Sequence, residues 1–282
     1  MTLENFTEAV STEVSKRLGD SCRVHVLKPV FNNGVVQTQL CIEKKDKQFS
    51  PSVYLTDFFE SYKKGMGLQE IINEILECYA SALDIPAGIQ EVVNNMSFDK
   101  IKDKIMFKLV NTHDNASMLE KMPNISYLDL SIVFFLLCEE TEEMATTLMI
   151  TNQHLEYWSK TKDELYQKAL INMLEKYPPV LVKTPEAAHV LTNRIQLYGA
   201  AVLLYPGLMK LCETHVGKDF LIIPSSVNEI FLFPATGIEN AIVSHRLADL
   251  IQHVNMEEIP ADERLSNHAY RYCSAEDKVI CI

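Results

Sequence analysis

The sequence predicts an α+β protein with antiparallel sheets, because short apolar runs of strand length alternate with longer stretches of helical periodicity. Residues 220–223 and 230–233 are aromatic and aliphatic runs on either side of a polar tip, which is typical of a hairpin covered on both faces. An Asn-Gly step at residues 33–34 separates two further apolar runs and indicates a second hairpin. Apolar residues recur at helical spacing between Leu68 and Leu83, which predicts an amphipathic helix.

The N-terminal unit, predicted over residues 1–90, has the element order α-β-β-β-α. Five apolar residues at helical spacing predict an opening helix over residues 3–18. The amphipathic helix described above closes the unit, because Pro86 and Gly88 follow it and end helices. Three strands are predicted between the two helices, at residues 24–30, 35–42 and 52–55.

Two further units are predicted over residues 100–178 and 185–282, each containing the order β-α-β-β-α. A capping box from Thr161 to Glu164 marks the start of the last helix of the first unit. Pro206 marks a helix start in the second, where its missing amide hydrogen costs nothing. The predicted strands are residues 105–110, 127–138 and 144–150 in the first unit and 187–192, 198–204 and the central hairpin in the second. The other predicted helices are residues 115–121, a helix to about residue 214 and a long one ending near residue 254.

The predicted order of elements is the same in residues 105–175 and 198–254, which suggests an old duplication. Two such units could each cover one face of a sheet with helices and the other face with the second sheet. That arrangement would explain the unbroken apolar runs of the central hairpin. The polar stretch after residue 257 is predicted to be irregular, with an edge strand over residues 278–282.

Composition argues against several classes of function. The 282 residues are 47% hydrophobic and 23% charged, with a formal net charge of −12, so a broad phosphate-binding surface and direct nucleic-acid binding are not expected. No apolar stretch approaches the ~20 residues that cross a bilayer, and the N-terminus lacks the basic and apolar regions of a secretory signal. We therefore expect a cytoplasmic protein without membrane contact.

Cysteine and histidine spacings give no disulfide or metal signal. The seven cysteines form an odd set without a Cys-x-x-Cys pair, and no two of the eight histidines lie four residues apart. These patterns predict reduced thiols, no metal and no cofactor, although a site assembled from distant residues would leave no such pattern. The glycine-rich phosphate loop and the Gly-x-Ser-x-Gly nucleophile motif are also missing.

The polar tip at residues 224–229 is the most site-like stretch, because small hydroxyls, an amide and a carboxylate converge between two rigid strands. Its binding candidates are Ser225, Ser226, Asn228 and Glu229. The competing interpretation is that these side chains satisfy the loop's own backbone. His245, on the last predicted helix, is a fifth candidate, for which a surface or core position is the alternative.

Five stretches together resemble a family of uncharacterised proteins from anaerobic Gram-positive gut bacteria, across nearly the whole chain. They are residues 50–62, 144–154, 204–207, 224–229 and 265–270. More distantly, the His-Leu-x-x-Trp stretch from His154 and the helix after it are similar to the YtpQ-type family. Neither resemblance implies an activity. The first family usually has histidine before the tip glutamate, whereas this chain has Asn228, which weakens any proposal of histidine chemistry at the tip.

These observations predict a cytoplasmic, non-enzymatic binding or regulatory protein. Its expected partner is a protein or a small ligand, and an acidic surface favours a basic protein. One variant is an anti-defence or inhibitor protein carried by a mobile element, which would mimic the charge of a nucleic acid. The alternative is a hydrolase-like enzyme with Ser225 or Ser226 as nucleophile, His245 as base and Glu229 orienting the base. That alternative requires a serine hydroxyl within roughly 3.2 Å of the base, or one water away.

Overall fold

The computed structural model describes residues 1–45, 50–82, 86–141, 145–185, 188–235 and 246–282. Internal contacts divide the chain into two compact units, Met1–Gln90 and Glu91–Ile282. Three antiparallel sheets lie in the described residues together with helices, which confirms the predicted α+β class. None of the helices in these ranges is long and apolar enough to cross a membrane.

The first unit contains a three-stranded sheet, in the order β1-β2-β3, and helices that pack on it. Its elements are α1 (Leu3–Leu18), β1 (Cys22–Leu27), β2 (Gln39–Lys44), β3 (Ser52–Tyr54), α2 (Leu55–Lys63) and α3 (Leu68–Ser81). The apolar face of α1, with Phe6, Val10 and Val14, is fully buried in the core of this unit. The Asn-Gly step lies in a 3₁₀ turn, Asn32–Gly34, within the longer β1–β2 connection, so the hairpin is present without a two-residue turn.

The chain continues through α4 (Ala87–Asn94) and α5 (Phe98–Ile101) into the four-stranded sheet of the second unit. Its elements are β4 (Ile105–Asn111), α6 (Ala116–Leu119), β5 (Asn124–Tyr127), β6 (Leu130–Glu140), β7 (Ala145–Met149), α7 (Asn152–Trp158) and α8 (Lys162–Lys176). Strand β6 pairs with β4 along one edge and with β5 and then β7 along the other. Residues 130–138 of β6 are all buried, so both faces of this part of the strand are covered.

The strand predicted over residues 127–138 is interrupted by a tight turn. Leu128 has a φ of 55°, and Tyr127 pairs with Leu130, so Leu128 and Asp129 form a two-residue hairpin loop between β5 and β6. The positive φ of a leucine gives no signal in the sequence, because glycine, asparagine and aspartate are the residues expected there. This turn places Asp129 at the end of the sheet.

A six-stranded antiparallel sheet forms the rest of the second unit, in the order β13-β12-β10-β11-β9-β8. Its elements are β8 (Pro179–Lys183), β9 (His189–Asn193), α9 (Leu208–Val216), β10 (Leu221–Ile223), β11 (Ile230–Phe233), α10 (Arg246–Glu258), β12 (Tyr270–Cys273) and β13 (Lys278–Cys281). The central hairpin is confirmed as β10 and β11, and the predicted edge strand at the end of the sequence is confirmed as β13.

The strand predicted over residues 198–204 is wrong, because Gly199–Leu204 is a buried 3₁₀ helix. A short continuous apolar run is compatible with either structure, and tertiary packing decides between them. Here a Cβ on Gly199 would overlap Thr192 Oγ1 and the carbonyl oxygen of Asn228. The bare backbone at this position is therefore required for the close approach of three segments.

The proposed duplication is also wrong. The first sheet of the second unit has four strands around β6, whereas the second has six strands with β10 and β11 at its centre. Their strand orders differ, so no common β-α-β-β-α unit relates them. Hydrogen bonds also connect the 3₁₀ helix to α8, since the Tyr205 hydroxyl donates to the carbonyl oxygens of Met173 and Tyr177 at 3.2 and 2.9 Å. The division into three domains stays a sequence-based prediction.

Candidate functional site

The polar tip between β10 and β11 is packed inside the second unit. Ser225 and Ser226 are each only 5% exposed. The Ser226 hydroxyl accepts a hydrogen bond from the Asn228 amide at 3.0 Å, and the Asn228 side-chain oxygen accepts one from the Tyr198 amide at 3.2 Å. Thr192 Oγ1 donates to the Asn228 carbonyl oxygen at 2.6 Å. The tip side chains thus join the loop to neighbouring segments.

A second segment, residues 263–268, runs alongside the tip and is held to it by backbone hydrogen bonds. The Val227 amide donates to Glu263 at 2.8 Å, the Leu265 amide to Ser225 at 3.0 Å and the Ser266 amide to Pro224 at 2.9 Å. Because these bonds fix the backbone around Ser266, the tip indirectly positions the side chains that follow it.

The other predicted site residues lie differently. Glu229 is partly exposed and lies directly before β11. His245 lies outside the described residues. Among the described residues, no histidine hydrogen-bonds to the hydroxyl of Ser225 or Ser226, so the geometry required for the hydrolase alternative is not present in that part of the chain. A binding role for the tip stays a prediction.

The segment beside the tip contributes to a polar cluster around Asp129. The Ser266 hydroxyl and His268 Nδ1 reach one carboxylate oxygen, at 2.7 and 3.0 Å, and the Tyr270 hydroxyl donates to the other. Ser266 Oγ also accepts the His268 amide at 2.9 Å, which fixes the turn between them. The Asp129 side chain is 24% exposed and that of His268 is 55% exposed. Cys281 lies on the rim of this cluster.

The electrostatics of the cluster favour a charged Asp129. Burial raises the pKa of its carboxyl, but hydrogen bonds from Tyr270, Ser266 and His268 outweigh burial and hold that pKa below its usual value. Burial, followed by the hydrogen bond to Asp129, raises the pKa of the Tyr270 hydroxyl far above its usual range. Tyr270 is therefore a permanent donor that keeps the carboxylate in place.

A pocket with different chemistry lies between the β8–β9 ribbon and α9. His189 pairs with Lys183, and Leu191 pairs with Leu181, in the antiparallel register of the two strands. Alternation along a strand puts all four side chains on one face of the ribbon. The facing stripe of α9 has the helical spacing i, i+3, i+4, i+7 and consists of Leu208, Leu211, Cys212 and His215. Together with Pro179 these residues line a cavity of about 360 Å³.

The basic groups of this pocket converge on His189, which is only 6% exposed. Its Nδ1 is buried and makes no hydrogen bond within the part of the chain that the structure describes. Burial, with the nearby charges of Lys183 and His215, lowers the pKa of the His189 ring. A buried imidazole nitrogen without a partner is unusual, since most buried polar atoms in native proteins are hydrogen-bonded.

The sequence contained partial signals for both sites. The helical stripe of α9 could have been found from its periodicity, and the Val-Leu-Val run after Pro179 is typical of a strand. The pairing of His189 with Lys183, however, depends on the register of β8 against β9, which the sequence does not indicate. The Asp129 cluster left no local signal, because Asp129 lies more than 130 residues before Ser266 and His268 in the chain.

Comparison with known proteins supplies a family but no activity. No curated protein and no solved structure matches the chain. One family model matches residues 3–187 and 182–274, and its description is a family of unknown function, DUF5688. Because these matches cover most of the sequence, the chain belongs to this family of unknown function, DUF5688.

Proposed function

We propose that this chain is a non-enzymatic binding protein whose ligand is a small organic anion held in the pocket of β8, β9 and α9. The observation that carries the proposal is the buried Nδ1 of His189, which lies beside Lys183 and His215 and has no hydrogen-bond partner among the described residues. A neutral imidazole can donate one hydrogen bond, and an ammonium group adds a charge-assisted one. An anionic group that reached both nitrogens would accept these hydrogen bonds.

The remaining lining indicates what else the ligand contains. Leucine side chains from both walls, with Pro179, surround the basic end. An apolar body of a few carbon atoms would bury its surface against them, which is favourable by about 25 cal/mol for each Å² removed from water. A cavity of about 360 Å³ lies at the small end of ligand pockets in proteins. The shared chemistry is thus a carboxylate or phosphate on a short aliphatic chain.

The pocket is better suited to binding than to catalysis. None of the described lining residues carries a carboxylate or a hydroxyl group. Cys212 is the single thiol in the lining, and burial raises its pKa to about 11, so it stays protonated at neutral pH and is a poor nucleophile. The pocket thus supports the small-ligand version of the predicted binding role. A basic protein partner and carriage by a mobile element stay predictions from the sequence alone.

Calorimetry with three probes tests the proposal. Hexanoate and hexyl phosphate should bind and raise the melting temperature, whereas neutral hexanamide, which has the same body, should not. Replacing His189 by leucine should weaken hexanoate binding at least tenfold, about 1.4 kcal/mol. His113→Leu is the matched control, because His113 is a highly exposed histidine outside this pocket.

Two outcomes of these measurements would contradict the proposal. Equal binding of hexanoate and hexanamide would show that the pocket recognises only an apolar body. Unchanged affinity in His189→Leu would show that the anion binds elsewhere. Either result rejects an anion site at His189.

A further inference from the structure

We infer that Asp129, His268 and Cys281 form a binding site for a zinc ion on the second unit. One donor atom from each residue lies within 4.8 Å of the other two. The set offers one oxygen, one nitrogen and one sulfur atom, which are the donors that zinc uses in proteins. Magnesium and calcium prefer sites made only of oxygen atoms, so the mixed set favours a borderline metal.

The fold brings together Asp129 from the first sheet of the second unit and His268 and Cys281 from the end of the chain. Asp129 lies in the tight turn between β5 and β6, and His268 lies just before β12. Cys281 is on β13 directly opposite Tyr270 in the antiparallel register. The hydroxyl of Tyr270 holds one oxygen of the carboxylate, and His268 Nδ1 reaches the other. An acidic ligand oriented by a second hydrogen-bonding group is a recurring feature of protein metal sites.

Zinc binding would replace one hydrogen bond of the cluster. The ion would take the place of the hydrogen bond between His268 Nδ1 and Asp129, whose two atoms are 3.0 Å apart. Cys281 would bind as the thiolate and release its proton to solvent, Asp129 would bind as the carboxylate, and His268 would bind as the neutral ring. His268 and Cys281 are exposed, so water can occupy the fourth position of a tetrahedral ion.

The three ligands are far apart in the sequence, which is why the sequence indicated no metal site. That expectation relied on pairs of cysteines or histidines close together in the chain, whereas these ligands occupy positions 129, 268 and 281. The formal net charge of −12 also favours the approach of a cation. The inference is independent of the proposed anion pocket, since none of its three residues lines that pocket.

Cobalt(II) substitution provides a direct test. The full chain is stripped with a chelator, reduced, dialysed and titrated with Co²⁺, and its visible spectrum is recorded. We expect one equivalent to produce the ligand-field bands of tetrahedral cobalt and a sulfur-to-cobalt charge-transfer band. Added Zn²⁺ should abolish both.

Variants assign the ligands. Cys281→Ser should remove the charge-transfer band, and His268→Gln should weaken binding at least tenfold. Cys273→Ser is the matched control, because Cys273 lies on the same hairpin opposite Lys278 and should leave the spectrum unchanged. Both ligand positions are exposed, so circular dichroism should confirm that these variants fold.

Three results would overturn the inference. They are the absence of stoichiometric binding, a charge-transfer band that persists in Cys281→Ser, and loss of that band in the Cys273→Ser control. A band that persisted without Cys281 would place the metal on another thiol, such as the one in the anion pocket.

Discussion

Two polar regions of the second unit have opposite arrangements. Around the tip and Asp129, hydrogen-bond donors from several segments converge on a carboxylate and on the side-chain and backbone oxygens of Asn228. In the pocket of β8, β9 and α9, basic side chains converge and no acidic group is among the described lining residues. The first region contains its own anion, Asp129, whereas the second contains a buried imidazole nitrogen that has no hydrogen-bond partner among the described residues. Hydrogen-bonded polar groups thus hold separate segments of the fold together, whereas the His189 ring makes no such connection through Nδ1 within the described residues.

The largest loss of stability is expected for a substitution at Gly199, which packs against the tip. Gly199→Ala should lower the free energy of unfolding by about 3 kcal/mol, because its Cβ would overlap Thr192 Oγ1 and the backbone of Asn228. At ~2–4 °C for each kcal/mol, the melting temperature should fall by roughly 6–12 °C. Urea unfolding measures the change. Gly67→Ala is the control, because a Cβ there meets nothing within 4 Å. Equal effects at the two glycines would contradict the close approach.

A moderate effect is expected at the tip. Replacing Ser225, Ser226 and Asn228 together by alanine removes two hydrogen bonds to backbone amides and should cost about 1–3 kcal/mol. Thermal melting should show a drop of several degrees. Glu229→Gln keeps the shape, removes a charge and should leave the melting temperature unchanged. A triple variant that melts like the wild type but loses a binding partner would instead support a binding role for the tip.

The smallest change in stability is expected for a substitution of His189, in the pocket of β8, β9 and α9. Replacing His189 by leucine should change the unfolding free energy at pH 7.5 by less than about 1 kcal/mol, since no hydrogen bond between its Nδ1 atom and the described residues is lost. A loss of several kcal/mol would show that the ring holds the fold together and would weaken the contrast between the two regions.

The same variant should alter the pH dependence of stability. Burial, Lys183 and His215 lower the pKa of His189 in the folded chain, so the unfolded chain takes up this proton at higher pH. Wild-type stability should therefore fall as pH drops below about 6.5, and the variant should lose that share of the fall. His154, whose pKa burial also lowers, keeps its own contribution in both proteins. Identical pH slopes from urea unfolding at pH 7.5 and 5.5 would contradict a lowered pKa at His189.

The elements that the sequence predicted well have local causes. Helix α8 begins where the capping box predicts, with Thr161 Oγ1 accepting the Glu164 amide at 3.2 Å and the Glu164 carboxylate accepting the Thr161 amide at 2.9 Å. These bonds connect residues three apart, so the sequence shows both partners. The central hairpin is equally local, because its apolar runs flank one short tip.

The elements that it missed depend on distant partners. The apolar run at Gly199–Leu204 becomes a 3₁₀ helix because the tip of another hairpin packs against it. Asp129 becomes the centre of a cluster because residues near the end of the sequence return to it. Neither contact leaves a periodicity or a motif, since each is a product of sheet order. The candidate sites were therefore less predictable than the fold class.

The buried strand β6 has a consequence for the chain before it folds. Residues 130–138 are almost entirely apolar, with strong β propensity and no charge, which is the composition of segments that aggregate when exposed. Glu139 follows directly and is exposed, so neighbouring copies that stacked this segment in register would bring like charges together. We therefore expect this acidic residue to oppose aggregation of the unfolded chain, an effect that is separate from the stability of the finished fold.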